Sequence, residues 1–105
     1  MTPKDYEIAK KLKERLSEVI QLVDFRVFGS RARGKTDEYS DMDVFIEVER
    51  LDKEQEDRIH DIVWEVGFEH SVFISPLIFT RYEIEKSPLR VSPIVKNIEE
   101  EGVRV

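Results

Sequence analysis

The sequence predicts an α/β (α+β) domain with helices packed on a small sheet. Two changes of hydrophobic period point to it, together with a length that holds one core. Apolar residues recur at helical spacing from Ile8 to Val23, at every second position from Val23 to Val27 and from Met42 to Val48, then at helical spacing again from Ile59 to Val66. Elements alternating in this way read as helices covering a sheet. With 105 residues, 40% of them hydrophobic, the chain can build one domain, 1–105, with no room for a second.

Each element follows from local signals. Thr2-Pro3 can cap a helix whose stripe of Ile8, Leu12, Leu16, Val19, Ile20 and Val23 runs about five turns. Val23, Phe25 and Val27 alternate with Asp24 and Arg26 to give a first strand ending at Phe28-Gly29, and Ser30 to Arg33 can form a short helix closed by Gly34. Met42, Val44, Ile46 and Val48 make one apolar face of a second strand, with Asp41 and Asp43 on the other. Asp52 with Gln55 is a capping-box pattern opening a helix that turns Ile59, Ile62, Val63 and Val66 inward and is expected to stop at Gly67. A third strand is expected from Val72 to Phe79. Thr80 and Glu83 then cap a short helix broken at Ser87-Pro88, and Ser92-Pro93 starts a last helix ending near Gly102.

Composition excludes several function classes. A net charge of −6 argues against extended nucleic-acid binding, which draws its affinity from Lys and Arg on phosphates. No apolar run approaches the roughly 20 residues of a membrane span, and the N-terminal pattern is charged and helical, so no membrane partner is expected and the protein is expected to be cytoplasmic. The sequence has no cysteine, hence no disulfide and no thiol nucleophile. Its two histidines have no matched ligands nearby that would suggest zinc. Charged residues make up 38%, a balance seen in heat-adapted proteins.

The stretch from Val27 to Glu47 admits two phosphate-site readings. Gly29 to Thr36 spells G-x-x-x-x-G-K-T, the form of a P-loop. A P-loop needs its Lys-Thr to open a long helix, and between Thr36 and the strand pattern at Met42 no such helix fits. The other reading fits its context. Gly29 allows tight passage out of the first strand, and Ser30 with the following amides can aim at a phosphate. Ten residues after Ser30, Asp41 and Asp43 project on one strand face roughly 7 Å apart and can share hard cations. Two magnesium ions about 4 Å apart can orient an attacking hydroxyl and stabilise a leaving pyrophosphate. Arg26, Arg31, Arg33 and Lys35 gather beside these carboxylates, which suits a metal-bound polyphosphate; mixed charge on a solvated loop is the simpler account.

Gly29-Ser30, ten residues and Asp41-Met42-Asp43 between two strands resemble the signature of the DNA polymerase β-like nucleotidyltransferase superfamily, in its minimal nucleotidyltransferase (MNT) branch. The resemblance implies a small mixed β-sheet flanked by helices and transfer of a nucleoside monophosphate from an NTP, AMP from ATP being favoured. It implies Mg2+, two ions, on Asp41 and Asp43 as catalytic and metal residues, and Gly29 and Ser30 on the phosphates. Arg31 and Arg33 are expected as further phosphate contacts, against the reading that they are exposed helix arginines. Many members of the branch are antitoxins encoded with HEPN-domain proteins, which implies a HEPN partner bearing the acceptor hydroxyl. Active members usually carry a third carboxylate on the third strand, where Phe73 or Ser75 stands here. Glu69 or Glu47 is open as a substitute, against both being solvent-facing. The alternative function is therefore a catalytically weak or inactive antitoxin or assembly module acting by protein binding. Trp64 is expected to be partly buried, with an oligomer contact as the other reading. Tyr39 can stack on a base or pack on its own domain. The C-terminal apolar residues Leu89 to Ile98 leave room for a homo-oligomer contact.

Overall fold

The structure is a computed structural model describing residues 1–34 and 39–105. Helix α1 (Pro3–Ser17) leads through a turn to β1 (Leu22–Phe28) and the single turn α2 (Gly29–Ala32). After β2 (Met42–Val48) come α3 (Lys53–His70) and β3 (Ile74–Thr80). Helix α4 (Arg81–Lys86), a 3-10 turn (Pro88–Val91), α5 (Pro93–Glu101) and the short strand β4 (Val103–Arg104) complete the chain. The sheet is mixed, in the order β3-β2-β1-β4: β2 runs antiparallel to β1 and parallel to β3, and β4 is antiparallel to β1. The parallel pair needs a crossover, and α3 supplies it.

The core lies on one face of the sheet. Met42, Val44, Ile46 and Val48 on β2 and Phe25 and Val27 on β1 are buried against Ile8, Leu12 and Leu16 of α1 and Ile59 and Val66 of α3. Truncating any of these to Ala would cost about 2–5 kcal/mol. Asp43, Phe45 and Glu47 therefore point to the opposite face, as the two-residue period requires. Helix α4 packs beside that face, and on it the Phe45 and Phe79 rings of the neighbouring strands β2 and β3 lie 5.8 Å apart. Among the described residues no helix is long and apolar enough to cross a membrane.

Four features differ from expectation. Helix α1 ends at Ser17 rather than continuing the stripe, yet Ile20 is buried from the following turn, so periodicity outlasts the helix. Strand β4 has only two residues, too short for a period to register. Gly67 does not stop α3, which runs on to His70 and ends at Ser71 in the left-handed region, φ 56°. Its lack of a side chain serves close approach instead, because a Cβ there would lie 2.6 Å from the Val72 carbonyl oxygen, whose own N–H donates to Gly67 C=O. The tight return delays β3 to Ile74. Gly67→Ala is expected to lower stability by about 1–3 kcal/mol in denaturant unfolding, through overpacking; an unchanged midpoint would show that the α3–β3 return yields freely.

Candidate active site

Strand β1 ends opposite the second aspartate: Phe28 pairs with Asp43 across the antiparallel ladder. The next residue, Gly29, adopts φ +75°, and a Cβ on it would overlap Asp43 Oδ2. The positive φ favours glycine here, and a Cβ would have to displace the Asp43 carboxylate. Ser30 follows in α2, whose N-cap, Phe28, offers no side-chain acceptor to the first-turn amides. Gly29, Ser30 and Asp43 are therefore brought together where the two strands meet.

Asp41 is exposed and Asp43 half-buried, two residues apart on one side of β2. Burial pushes the Asp43 carboxyl above the usual carboxylate range, the Asp41 charge pushes it further, and Arg33 pulls it back. These three groups therefore share one electrostatic field, with Arg33 largely exposed and 3.7 Å from Glu101. A partly buried carboxylate beside a second negative charge is what a divalent cation relieves. Magnesium typically takes one or two carboxylates and fills its remaining positions with water and substrate phosphate. The donor set fits that ion, although among the described residues no group of three His, Asp or Glu side chains converges.

Arg31 is placed differently from its expected role. It is buried, its Nη1 donates to Asp5 Oδ1 at 2.7 Å, and its Nε and Nη2 donate to the Ser40 carbonyl at 3.0 and 2.7 Å. It is not an exposed helix arginine; it ties the N-terminal turn of α1 to the residue before Asp41. The partner, Asp5, is only 2% exposed and went unnoticed in the sequence. The signal was there, since Asp5 precedes Ile8, Ala9 and Leu12 on the stripe that α1 buries. Arg26 is likewise engaged, donating to Asp24 and the Glu99 carbonyl. Of the cationic cluster, Arg33 is the described member close to the carboxylates.

The strand register shows what stands beside Asp43. In the parallel register Asp43 stands beside Ser75, and the Phe73 carbonyl accepts the Met42 N–H. Glu69 cannot reach, because it faces α1 and pairs with Lys11 at 2.6 Å, which holds its carboxyl below the usual range. Glu47 is on the Asp43 face but four residues further along β2, about 13 Å away. It is not solvent-facing either: it is 6% exposed, between Asp24 of β1 and Phe79 of β3 in the sheet, with Arg81 and Glu85 of α4 near enough to act on its charge. Burial first, then the charges of Asp24 and Glu85, push its carboxyl above the usual range. Residues 35 to 38, including Lys35 and Thr36 of the P-loop pattern, lie outside the described residues. Tyr39 beside them is 85% exposed.

Comparison with known proteins bears on the family and the fold. The family model for the nucleotidyltransferase domain matches residues 6–105. A protein of Methanocaldococcus jannaschii named "Putative protein adenylyltransferase MJ1305" is 35% identical over 75 residues, which are 69% of this chain and 50% of that protein. The chain thus spans about half the length of this curated relative. The crystal structure of a "putative nucleotidyltransferase" from Sulfolobus solfataricus superposes with a TM-score of 0.52, covering 99% of this chain and 87% of that one at 16% identity, a likeness of fold.

Two substitutions test the placements. A carboxyl whose acidity is weakened by folding destabilises the fold once ionised, so the cost of Glu47 is absent below its unfolded range and complete above its folded one. Glu47→Gln is expected to raise the unfolding temperature at pH 7, to lose that advantage near pH 3, and to leave nucleotide and metal binding unchanged. A loss of metal binding would instead return Glu47 to the site. Arg31→Met leaves Asp5 buried without its partner and is expected to cost about 3–5 kcal/mol in denaturant unfolding; a change within error would show that the pair ties nothing down.

Proposed function

The chain belongs to the nucleotidyltransferase domain family, and from that premise we propose that it is an enzyme transferring AMP from ATP to a hydroxyl of a protein acceptor, with Mg2+ on Asp41 and Asp43. The observation that carries the reading is the packing of the Asp43 carboxylate against the backbone of Gly29, beside Asp41, at the mouth of the first two strands. A protein acceptor and an adenylyl donor are in keeping with the name of the M. jannaschii relative. The finer reading is a hydroxyl on a HEPN-domain partner, modified so that the chain acts as its antitoxin in the cytoplasm.

The chemistry asked of the residues is modest. An acceptor oxygen bonds to the α-phosphorus, the bond from that phosphorus to the bridging oxygen breaks, pyrophosphate leaves with that bonding pair, and the hydroxyl proton passes to solvent water. Bound magnesium supplies charge neutralisation of the phosphates and of the departing pyrophosphate. Asp41 and Asp43 hold it. Gly29 lets the backbone pass close to both carboxylate and phosphate, and the Ser30 amide and hydroxyl are donors for a phosphate oxygen. Arg33 adds positive charge at the rim. Arg31 acts through Ser40: by fixing that carbonyl it sets where Asp41 begins, which makes it a positioning residue.

A second reading is favoured by Ser75. With serine beside Asp43 where active relatives usually hold an acid, the chain would retain the phosphate cradle and act by binding its partner without transfer. Label from α-labelled ATP with magnesium, incubated with an extract of the source cell, decides between them. Wild type is expected to label a protein, and the folded Asp41→Ala/Asp43→Ala variant to label nothing above background. Magnesium should also raise the unfolding temperature of wild type and not of the double variant. Label absent from wild type with every NTP, while partner binding survives in the double variant, establishes the binding module.

A further inference from the structure

An aromatic groove on the far edge of the sheet takes no part in this chemistry. Trp64 and Phe68, one helical turn apart on α3, stack with ring centroids 5.1 Å apart and planes 12° from parallel. They are 67% and 72% exposed, and Phe73 at the end of the α3–β3 return is 83% exposed, so Trp64 lacks the partial burial expected of it. With Ile74 and Pro76 these rings line a groove of about 660 Å3 between α3 and the free edge of β3.

The surroundings narrow the occupant. Among the described residues no Asp, Glu, Lys or Arg lines the groove, whose one ionisable side chain is His60, so it offers little to a phosphate backbone and brings no carboxylates together if two copies meet there. An added β-strand is also disfavoured. Met42 N–H donates to Phe73 C=O in a parallel ladder, so Phe73, Ser75 and Leu77 turn their backbone groups toward β2, while Ile74, Pro76 and Ile78 turn theirs outward. Proline at the centre of the free edge removes the donor that an incoming strand would use. What fits is apolar side chains carried on a helix. The molecule itself carries such a set beside the groove, since the Trp64–Phe68 pair forms a ridge next to the hollow it lines. Ridge and hollow on one patch are the requirement for a two-fold, isologous contact. A buried aromatic covers about 150–250 Å2. At the exposures above, the three rings would therefore contribute on the order of 400 Å2, half of the roughly 800 Å2 each partner gives a stable interface.

We propose that this groove is the interface of a homodimer, in which α3 of each copy inserts its Trp64–Phe68 ridge into the hollow between α3 and β3 of the other. Trp64 is the one tryptophan in the sequence, so its emission reports the contact directly. The test is sedimentation equilibrium together with Trp64 emission across a dilution series of the full chain. Wild type is expected to have twice the monomer mass at high concentration, with emission moving to the red as dilution separates the copies. Phe68→Ser/Phe73→Ser keeps the reporter and is expected to weaken self-association by on the order of 30-fold or more, as for loss of an interface hot spot. Trp64→Arg, at an exposed position, supplies a second variant by mass alone should the first not fold. Wild type that stays monomeric throughout, or variants that dimerise as wild type does, overturns the proposal; the first outcome would leave the groove to a different protein.

Discussion

The ion pair between Asp5 and Arg31 joins three parts of the chain that are distant in sequence. Asp5 lies in the first turn of α1, Arg31 in α2, and the Ser40 carbonyl that completes the guanidinium's bonding lies immediately before the first site aspartate. Removing two charges from water is unfavourable unless their hydrogen bonds are made; the ion pair and two bonds to one carbonyl engage the guanidinium, while the second carboxylate oxygen of Asp5 is buried without a hydrogen-bond partner among the described residues. Buried pairs of this kind add little net stability over apolar packing; what they contribute is a defined geometry. The end of the connection between α2 and β2, and with it the approach to Asp41, is held by a bond reaching back to the beginning of the chain.

The site built on this anchor has an electrostatic cost. Asp41 and Asp43 repel each other, and partial burial disfavours the Asp43 charge, with Arg33 as partial compensation. Paired acids that oppose their own ionisation are common where a cation or phosphate will bind, because the ligand then supplies the missing attraction. Glu47, on the same strand face, shows how such a shift can arise away from a site. Its carboxyl is also pushed up, yet the neighbours responsible are Asp24 of β1 and Glu85 of α4. Position along the strand separates the two cases.

The sheet is asymmetric in a way that follows from its order. Strand β1 is central and covered at its outer side by β4, whereas β3 is left as a free edge with no charged residue along it. Pro76 guards that edge against further strands, and the aromatic residues beside it do not resemble a solvated surface. Protection of the backbone and exposure of side chains at one place are consistent if the edge meets a helix.

Much of this was legible before any coordinates. The strand periods, the capping boxes at Asp52 and Thr80, and the spacing from Gly29-Ser30 to Asp41 and Asp43 are local patterns, written by residues near one another in sequence, and they determined the element order and the mixed helix-and-sheet class. Tertiary structure alone decided the partners. Arg31 looked like its neighbour Arg33, and only the packing of α1 sent one inward and left the other at the rim. Gly67 looked like a helix stop, and only the return of Val72 across it showed a close approach. The position beside Asp43 could have been Phe73 or Ser75, and the parallel register selected Ser75. Glu47 was readable as a surface glutamate until its neighbours on β1, β3 and α4 closed around it. In each case the deciding contact joins residues whose separation in sequence carries no period, so the pattern that reveals an element cannot reveal what packs against it.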